Sequence, residues 1–295
     1  MELKYVPCNV CSNKEWVKIN TCRITRDDAD MKETVLALAR CKKCGLVFVN
    51  PQPVFSKEEL ANLYSGRYFT KDYMKFYAAQ KGNAVQSNES FSFRLSVIAQ
   101  FKAAGRLLEV GCATGEFLHL AESKGWEVMG VELSDYAANI ASQRYGLDIR
   151  RGTLEETVLP ADYFDVIVAG DILEHIPDPK GFLTEVKRIL KDDGILYLAL
   201  PDFGSFHYWL VSFIARFTHK NYFLLPYHLY HFSGVSLSRL LETAGFCIKQ
   251  KIFSQSKCSE KGIRGLGIKI IFLFGLALHM PDRIAVIAKK SGEYK

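Results

Sequence analysis

Residues 106–121 constrain this chain most. The apolar run Arg106-Leu107-Leu108-Glu109-Val110 stops at Gly111-Cys112-Ala113-Thr114-Gly115. Glu116-Phe117-Leu118-His119-Leu120-Ala121 then places apolar residues on one helical face. A strand feeding a glycine turn and a helix is therefore expected, with the pattern Glu-x-Gly-x-x-x-Gly across the turn. Gly111 allows the tight turn, and Gly115 is expected to leave the helix start open to a ligand.

A dinucleotide-binding turn competes for this stretch, but it needs Gly-x-Gly-x-x-Gly. Ala113 and Glu116 stand where the second and third glycines belong, and Glu116 at the helix start would repel a pyrophosphate. The following segments extend the pattern. Trp126 to Ser134 reads as a second strand ending in Glu132, 17 positions after Gly115. That spacing suits a carboxylate accepting from ribose hydroxyls in doubly wound folds. The other reading of Glu132 is a surface carboxylate ahead of the helix near Ser134 and Asp135. Further strands are expected at Leu147 to Arg151, Phe164 to Asp171 and Gly194 to Leu200. Helices are expected at Asp135 to Tyr145, Pro179 to Lys191 and Leu237 to Ala244. Near-continuous apolar strands alternating with helices imply an α/β fold, a mainly parallel sheet covered on both faces. Ligands in such sheets bind beyond the carboxyl ends of the strands. Glu109, Glu132, Thr153 and Asp171 all fall at or just after those ends.

The turn at Glu109–Glu116 resembles motif I of class I S-adenosylmethionine (SAM) methyltransferases, in which this loop wraps the methionine end of the cofactor. Asp171-Ile172-Leu173-Glu174-His175-Ile176-Pro177-Asp178-Pro179 resembles the segment after strand four in a subgroup that includes the ubiquinone-biosynthesis O-methyltransferases. Leu190 to Leu196 resembles that family's turn into strand five, and Gly152-Thr153-Leu154 sits where the family surrounds adenine. The resemblance covers roughly residues 90–255. It implies a Rossmann-like class I sheet and SAM as cofactor. The residues it implies around SAM are Glu109, Gly111, Cys112, Ala113, Gly115, Glu132, Leu133, Thr153, Leu154 and Asp171.

Four of the eight cysteines form a second pattern: Cys8-Asn9-Val10-Cys11 and Cys41-Lys42-Lys43-Cys44 are paired Cys-x-x-Cys knuckles. Two such turns meeting face to face supply the four soft ligands of a closed, structural zinc site. Apolar segments between them, Trp16 to Ile19 and Thr34 to Ala39, suit a small ribbon; the alternative is four unrelated or redox-active thiols. Cys41 to Pro51 resembles the end of the zinc module in bacterial methyltransferases that carry one before the catalytic domain. Some of those act on nucleotide-linked sugars, and many belong to surface-polysaccharide or natural-product pathways. The sugar C-methyltransferases among them are longer, which weighs against a sugar here. Eight cysteines without an amino-terminal apolar run point to reduced thiols and a cytoplasmic protein.

The expected organisation is a zinc ribbon at 1–52, a helical linker or cap at 53–90, and a methyltransferase domain at 91–295. Ser56 starts the linker's helix as N-cap. The resemblance implies that Tyr64 to Phe69 and the aromatics Tyr73, Phe76 and Tyr77 fold over the cofactor; packing as a linker is the alternative. Between 203 and 233 lies an insertion with eleven aromatics from Phe203 to Phe232, against 13% in the whole chain. At the cofactor end of the sheet it reads as a lid and acceptor wall; extra packing helices are the alternative.

SAM carries an activated methyl group, so catalysis needs in-line positioning and, for a protonated acceptor, a base. His175 is the first candidate, and Tyr227, His228 and His231 are the others; core or capping duty, with Ser233 or Ser236 as a cap, is the bland reading of their segment. Asp171, Glu174, His175 and the later His228 also resemble the magnesium-holding Glu-x-x-Glu-His plus His of plant-type small-RNA 2′-O-methyltransferases. Two histidines would equally suit zinc, iron or manganese.

From Lys249 onward the net charge is +7 against +6 for the whole chain. Ile268 to Leu278 is apolar but shorter than the ~20 residues a membrane span needs. It reads as a buried helix before a final strand at Arg283 to Lys289, with peripheral membrane contact as the alternative. The expected function is methyl transfer from SAM to a small-molecule or sugar-containing glycan-precursor acceptor. RNA methylation through the ribbon and basic tail is a second reading, opposed by modest charge and the lack of an Arg/aromatic stripe. A non-catalytic SAM-binding regulator is a third, and no DNA partner is expected.

Overall fold

The computed structural model describes residues 2–24, 34–64, 69, 84–206, 208–209, 228–254 and 281–292. Tyr227, most of the expected lid and the apolar tail segment 268–278 lie outside them. Among the described residues no helix is long and apolar enough to cross a membrane.

The centre is a seven-stranded sheet built from β6 (Arg106–Val110), β7 (Glu127–Glu132), β8 (Ile149–Arg151), β9 (Phe164–Gly170), β10 (Leu190–Pro201), β12 (Phe246–Ser254) and β13 (Arg283–Lys290). Its order is β12-β13-β10-β9-β6-β7-β8. The pairs β10–β9, β9–β6, β6–β7 and β7–β8 are parallel, whereas β13 runs antiparallel between β10 and β12. The expected parallel sheet is thus extended by an antiparallel edge. The expected turn at Leu190 to Leu196 is absorbed into β10, whose pairing shifts register between Leu190 and Ile195.

Successive strand residues point to opposite faces, which explains why these strands are apolar at nearly every position. Leu107, Val166, Val168, Ile195 and Ile287 enter one buried cluster, with Phe91, Phe117 and Leu118 from the helices over them. Those helices are α2 (Ala84–Ala99) and α3 (Glu116–Ser123), joined on that side by Ala141 of α4 (Asp135–Tyr145). Leu108, Ile167, Ala169, Leu196, Leu198 and Val286 enter the other cluster, against α5 (Pro179–Ile189) and α6 (Gly234–Thr243). In α5, Phe182, Leu183, Val186 and Ile189 are buried, the spacing of a single helical stripe. Each such side chain contributes ~1.5–3 kcal/mol by leaving water.

The amino-terminal module adds β1 (Glu2–Lys4), β2 (Trp16–Ile24), β3 (Thr34–Cys41), β4 (Val47–Val49) and β5 (Gln52–Val54). β1 pairs with β5. β2, β3 and β4 form an antiparallel sheet whose fourth strand, β11 (Tyr230–His231), comes from far along the chain, in the order β11-β4-β3-β2. The buried side chains Cys8 and Val10 of the first knuckle, Phe48 of β4 and Tyr230 of β11 join the same cluster as α5 and Leu173. The helix α1 (Lys57–Leu63) opens with a capping box: Ser56 accepts from Glu59 N, and Glu59 reaches back to Ser56 N.

Candidate active site

The turn after β6 lines one end of a cavity of about 770 Å³. Gly111 sits at φ +71°, and an added Cβ would lie 2.1 Å from Ile172 Cδ1, so both conformation and space select glycine. Its N–H donates to Val131 O at 2.7 Å, tying the turn to β7. Gly111, Cys112, Ala113 and Glu116 line the cavity. Gly115 does not, and the expected opening to a ligand is corrected: a Cβ there would meet Leu147 and Ala141, at 2.7 and 2.9 Å. Its φ of +84° and its packing on α4 explain the glycine instead.

Two carboxylates sit at the strand ends. Glu132 is buried and accepts from Ala113 N and Ser134 N, each at 2.8 Å, fixing the two loops to one another. Burial raises its pKa against these N–H groups. Glu109 is 5% exposed; Oε1 lies 3.1 Å from Arg94 Nη1, while Oε2 is buried without a hydrogen-bond partner. Burial lifts its pKa to about 7 although Arg94 opposes the shift. Leu133, Gly152, Thr153 and Leu154 continue the wall. Arg94 was not among the residues expected here. Its guanidinium lies over the rings of Phe117, Phe91 and Tyr197 at 4.8, 5.6 and 5.6 Å. The apolar spacing Phe91, Leu95, Ile98 around it was the available signal for a helix.

The far end of the cavity is built from the segment after β9 and from residues around 228. Asp171, at φ +57°, lines the cavity and pairs with Arg283 Nη2 at 2.5 Å. Burial works against the Arg283 cation, but Asp171 outweighs it and keeps the arginine charged. Glu174 is 1% exposed, and neither carboxylate oxygen has a hydrogen-bond partner. Burial, with the Asp171 charge beside it, raises its pKa to about 8. His175 Nε2 lies 4.0 Å from Glu174 Oε1, and the His175 and His228 rings meet edge to face at 4.7 Å. Nδ1 of the buried His228 has no hydrogen-bond partner, and burial followed by His175 pushes its pKa well down, so the ring is neutral. One ligand atom from each of Glu174, His175 and His228 falls within 4.8 Å of the others. His231 is placed differently from the expectation. It does not line the cavity; it packs edge-on against Phe203 at 4.2 Å, and burial lowers its pKa to about 3.

The four knuckle cysteines converge, with their Sγ atoms within 4.8 Å of one another. The pairs Cys8–Cys44 and Cys11–Cys41 lie at 3.3 and 3.5 Å. Tetrahedral zinc with ~2.3 Å bonds to sulfur separates its ligands by about 3.8 Å, so the donor set fits. Burial opposes ionisation of Cys41, yet the N–H groups of Cys44 and Lys43 outweigh it and hold that thiol down at about 6. Burial pushes Cys44 up to about 11 and Cys8 up further. A bound cation would offset that cost.

Comparison with known proteins gives a consistent picture. A family model described as a methyltransferase domain matches residues 86–251. Over 153 residues the chain is 31% identical to a Mycolicibacterium smegmatis protein named "Probable S-adenosylmethionine-dependent methyltransferase". That match covers 51% of this chain and 56% of the relative, a little over half its length. Over 176 residues it is 30% identical to the ubiquinone biosynthesis O-methyltransferase of Actinobacillus pleuropneumoniae, covering 52% and 75%. A SAM-dependent methyltransferase from Archaeoglobus fulgidus superposes with a TM-score of 0.53 at 22% identity, over 74% of this chain and 99% of that one. At that identity the likeness speaks to the fold.

Proposed function

We propose, for a chain that belongs to the SAM-dependent methyltransferase family, that it transfers the methyl group to a small-molecule or glycan-precursor acceptor bound beside Glu174, His175 and His228. One observation carries the reading. A single cavity joins the carboxylates Glu109 and Glu132 at the ends of β6 and β7 to an acid–imidazole cluster at its far end.

SAM supplies a methyl group already activated on a sulfonium, so the protein's share is binding, alignment and proton removal. Glu132 is placed to accept from ribose hydroxyls while it keeps the Ala113 and Ser134 N–H bonds. The free Oε2 of Glu109 suits an α-ammonium group, and Arg94 holds the other oxygen in place. Leu133, Thr153 and Leu154 form the wall for the adenine. At the acceptor end, the neutral ring of His228 and the His175 imidazole beside it are placed to take a proton from a hydroxyl, with Glu174 next to them. The four cysteines hold a structural zinc in this reading, outside the reaction. The ubiquinone-pathway relatives favour a small molecule over RNA.

A second reading of the same cluster is a divalent cation held by Glu174, His175 and His228, favoured by the unpartnered oxygens of Glu174. Activity that survives chelation, with the cysteine-bound zinc shown intact, rejects it. The test of the main proposal is calorimetric titration with S-adenosylhomocysteine, followed by turnover with SAM over phenolic, sugar-nucleotide and lipid-linked glycan acceptors. Binding near one site per chain and methylation of one acceptor class are expected. Folded protein that binds neither SAM nor its product refutes the proposal. Binding without turnover on any acceptor favours the regulator, and salt-sensitive RNA retention with RNA methylation favours the RNA enzyme.

A further inference from the structure

Among the described residues, none from 2 to 54 lines the cavity, so the amino-terminal module does not meet the reactants directly. It nevertheless grips the cavity's far end at three points. Asn9, inside the first knuckle, accepts at Oδ1 from Lys180 N at 3.2 Å and donates through Nδ2 to Asp178 Oδ1 at 3.4 Å. Asp178 makes no side-chain cap of its own at the start of α5, so the knuckle provides that helix with its cap. Lys180 Nζ donates in turn to Ser12 Oγ at 3.1 Å. On the other side, β4 pairs with β11, Phe48 opposite Tyr230, and Val49 N donates to Leu229 O at 2.9 Å.

Tyr230 links these grips. It is fully buried, stacks on Phe48 with centroids 6.5 Å apart, and donates its Oη to Pro177 O at 2.8 Å. Leu229 N and Tyr230 N both donate to Glu174 O, at 2.8 and 3.1 Å. The backbone of Glu174 and the chain that carries His228 are therefore fastened to each other and to the module. A two-residue strand has little stability of its own, so β11 depends on its pairing with β4.

We propose that the four-cysteine module serves the transfer reaction as a brace for the acceptor end, with Tyr230 and Asn9 as positioning residues that set Glu174, His175 and His228. This rests on the methyltransferase reading of the cavity. Displacement of a reacting group by about 1 Å can cost about 10²-fold in rate, so a distant brace affects turnover without touching substrate. The turn at the cofactor end is tied instead to β7, through Gly111 N and Val131 O, and to Glu132 through Ala113 N.

The test uses the full chain with Tyr230→Phe, which removes one hydroxyl from the junction, and with Asn9→Ala. Tyr5→Ala is the control, because it removes the outer Tyr5–Trp16 stack of the same module. S-adenosylhomocysteine affinity is measured by calorimetry, amide exchange over residues 171–182 by mass spectrometry, and kcat and KM with an acceptor from the screen. Both junction variants are expected to keep wild-type S-adenosylhomocysteine affinity and SAM KM. They should exchange about tenfold faster over 171–182 and lose about tenfold or more in kcat, the loss tied to ~1.4 kcal/mol for the one hydrogen bond of Tyr230 and to the two of Asn9. The control is expected to match wild type. Unchanged exchange overturns the proposal, as does faster exchange with unchanged kcat, which would leave the junction merely structural. Failure of the wild type to bind S-adenosylhomocysteine strikes the underlying reading instead.

Discussion

Cofactor binding should be coupled to the ionisation of Glu109, and the structure sets the pH range. The carboxyl is 5% exposed, one oxygen is paired with Arg94 and the other has no partner, and burial raises its pKa to about 7. An α-ammonium arriving at the free oxygen favours the ionised form, so below pH 7 a proton must leave before the cofactor binds well. Each pH unit is worth ~1.4 kcal/mol, so affinity should fall about tenfold at pH 6 and about 100-fold at pH 5 relative to pH 8. Calorimetry of S-adenosylhomocysteine binding in two buffers of different ionisation enthalpy reads this directly. Close to one proton should be released per molecule bound at pH 6, and almost none at pH 8. Stability of the empty protein runs the opposite way. The folded pKa lies above the unfolded value of 4.5, so this group's stabilising share is complete below about 4.5 and is lost as pH rises through about 7. The loss amounts to about 3 kcal/mol. The empty protein should therefore be weakest, as far as Glu109 is concerned, where its cofactor affinity is highest. Glu109→Gln should bind weakly and lose the tenfold-per-unit fall in affinity below pH 7. Flat affinity in the wild type, or an unchanged pH profile in the variant, would show that the ammonium does not sit at Glu109.

Three further expectations rest on single contacts. Glu132→Ala strips the acceptor from Ala113 N and Ser134 N and removes the proposed ribose contact, so S-adenosylhomocysteine affinity should fall at least about 100-fold at ~1.5–3 kcal/mol per charged hydrogen bond. Glu132→Gln should lose less by the same calorimetry. Gly111→Ala sets a Cβ 2.1 Å from Ile172 Cδ1 at φ +71°, and should cost about 2–4 kcal/mol in urea unfolding, partly recovered when Ile172→Ala is added. Cys41→Ser should lower both the zinc content by elemental analysis and the melting temperature; unchanged values would mean that the four thiols are not a metal site.

What the sequence disclosed and what it hid divide along a physical line. The glycine turn, the carboxylates at strand ends and the paired knuckles were legible because each is a local pattern: a strand must stop, a helix must start, and each Cys-x-x-Cys turn presents two thiols together. The helix boundary at Asp135–Tyr145 and the Ser56 cap were legible for the same reason, and Ser233 as one of two cap candidates. Long-range placement was not. Nothing local to Gly115 announces that Leu147 and Ala141 fill the space over it, and nothing near His231 says that it turns away toward Phe203 while His228, three residues earlier, faces Glu174. Arg283 carried no motif, because its role comes from an antiparallel strand that brings it beside Asp171, 112 residues away in sequence. The same limit hid the brace. Asn9 reads as filler between two cysteines and Tyr230 as one aromatic among eleven, until β11 adds itself to a sheet begun more than 180 residues earlier. A four-cysteine module was therefore readable as a unit of structure, whereas its bearing on the chemistry follows only from what its two edges touch.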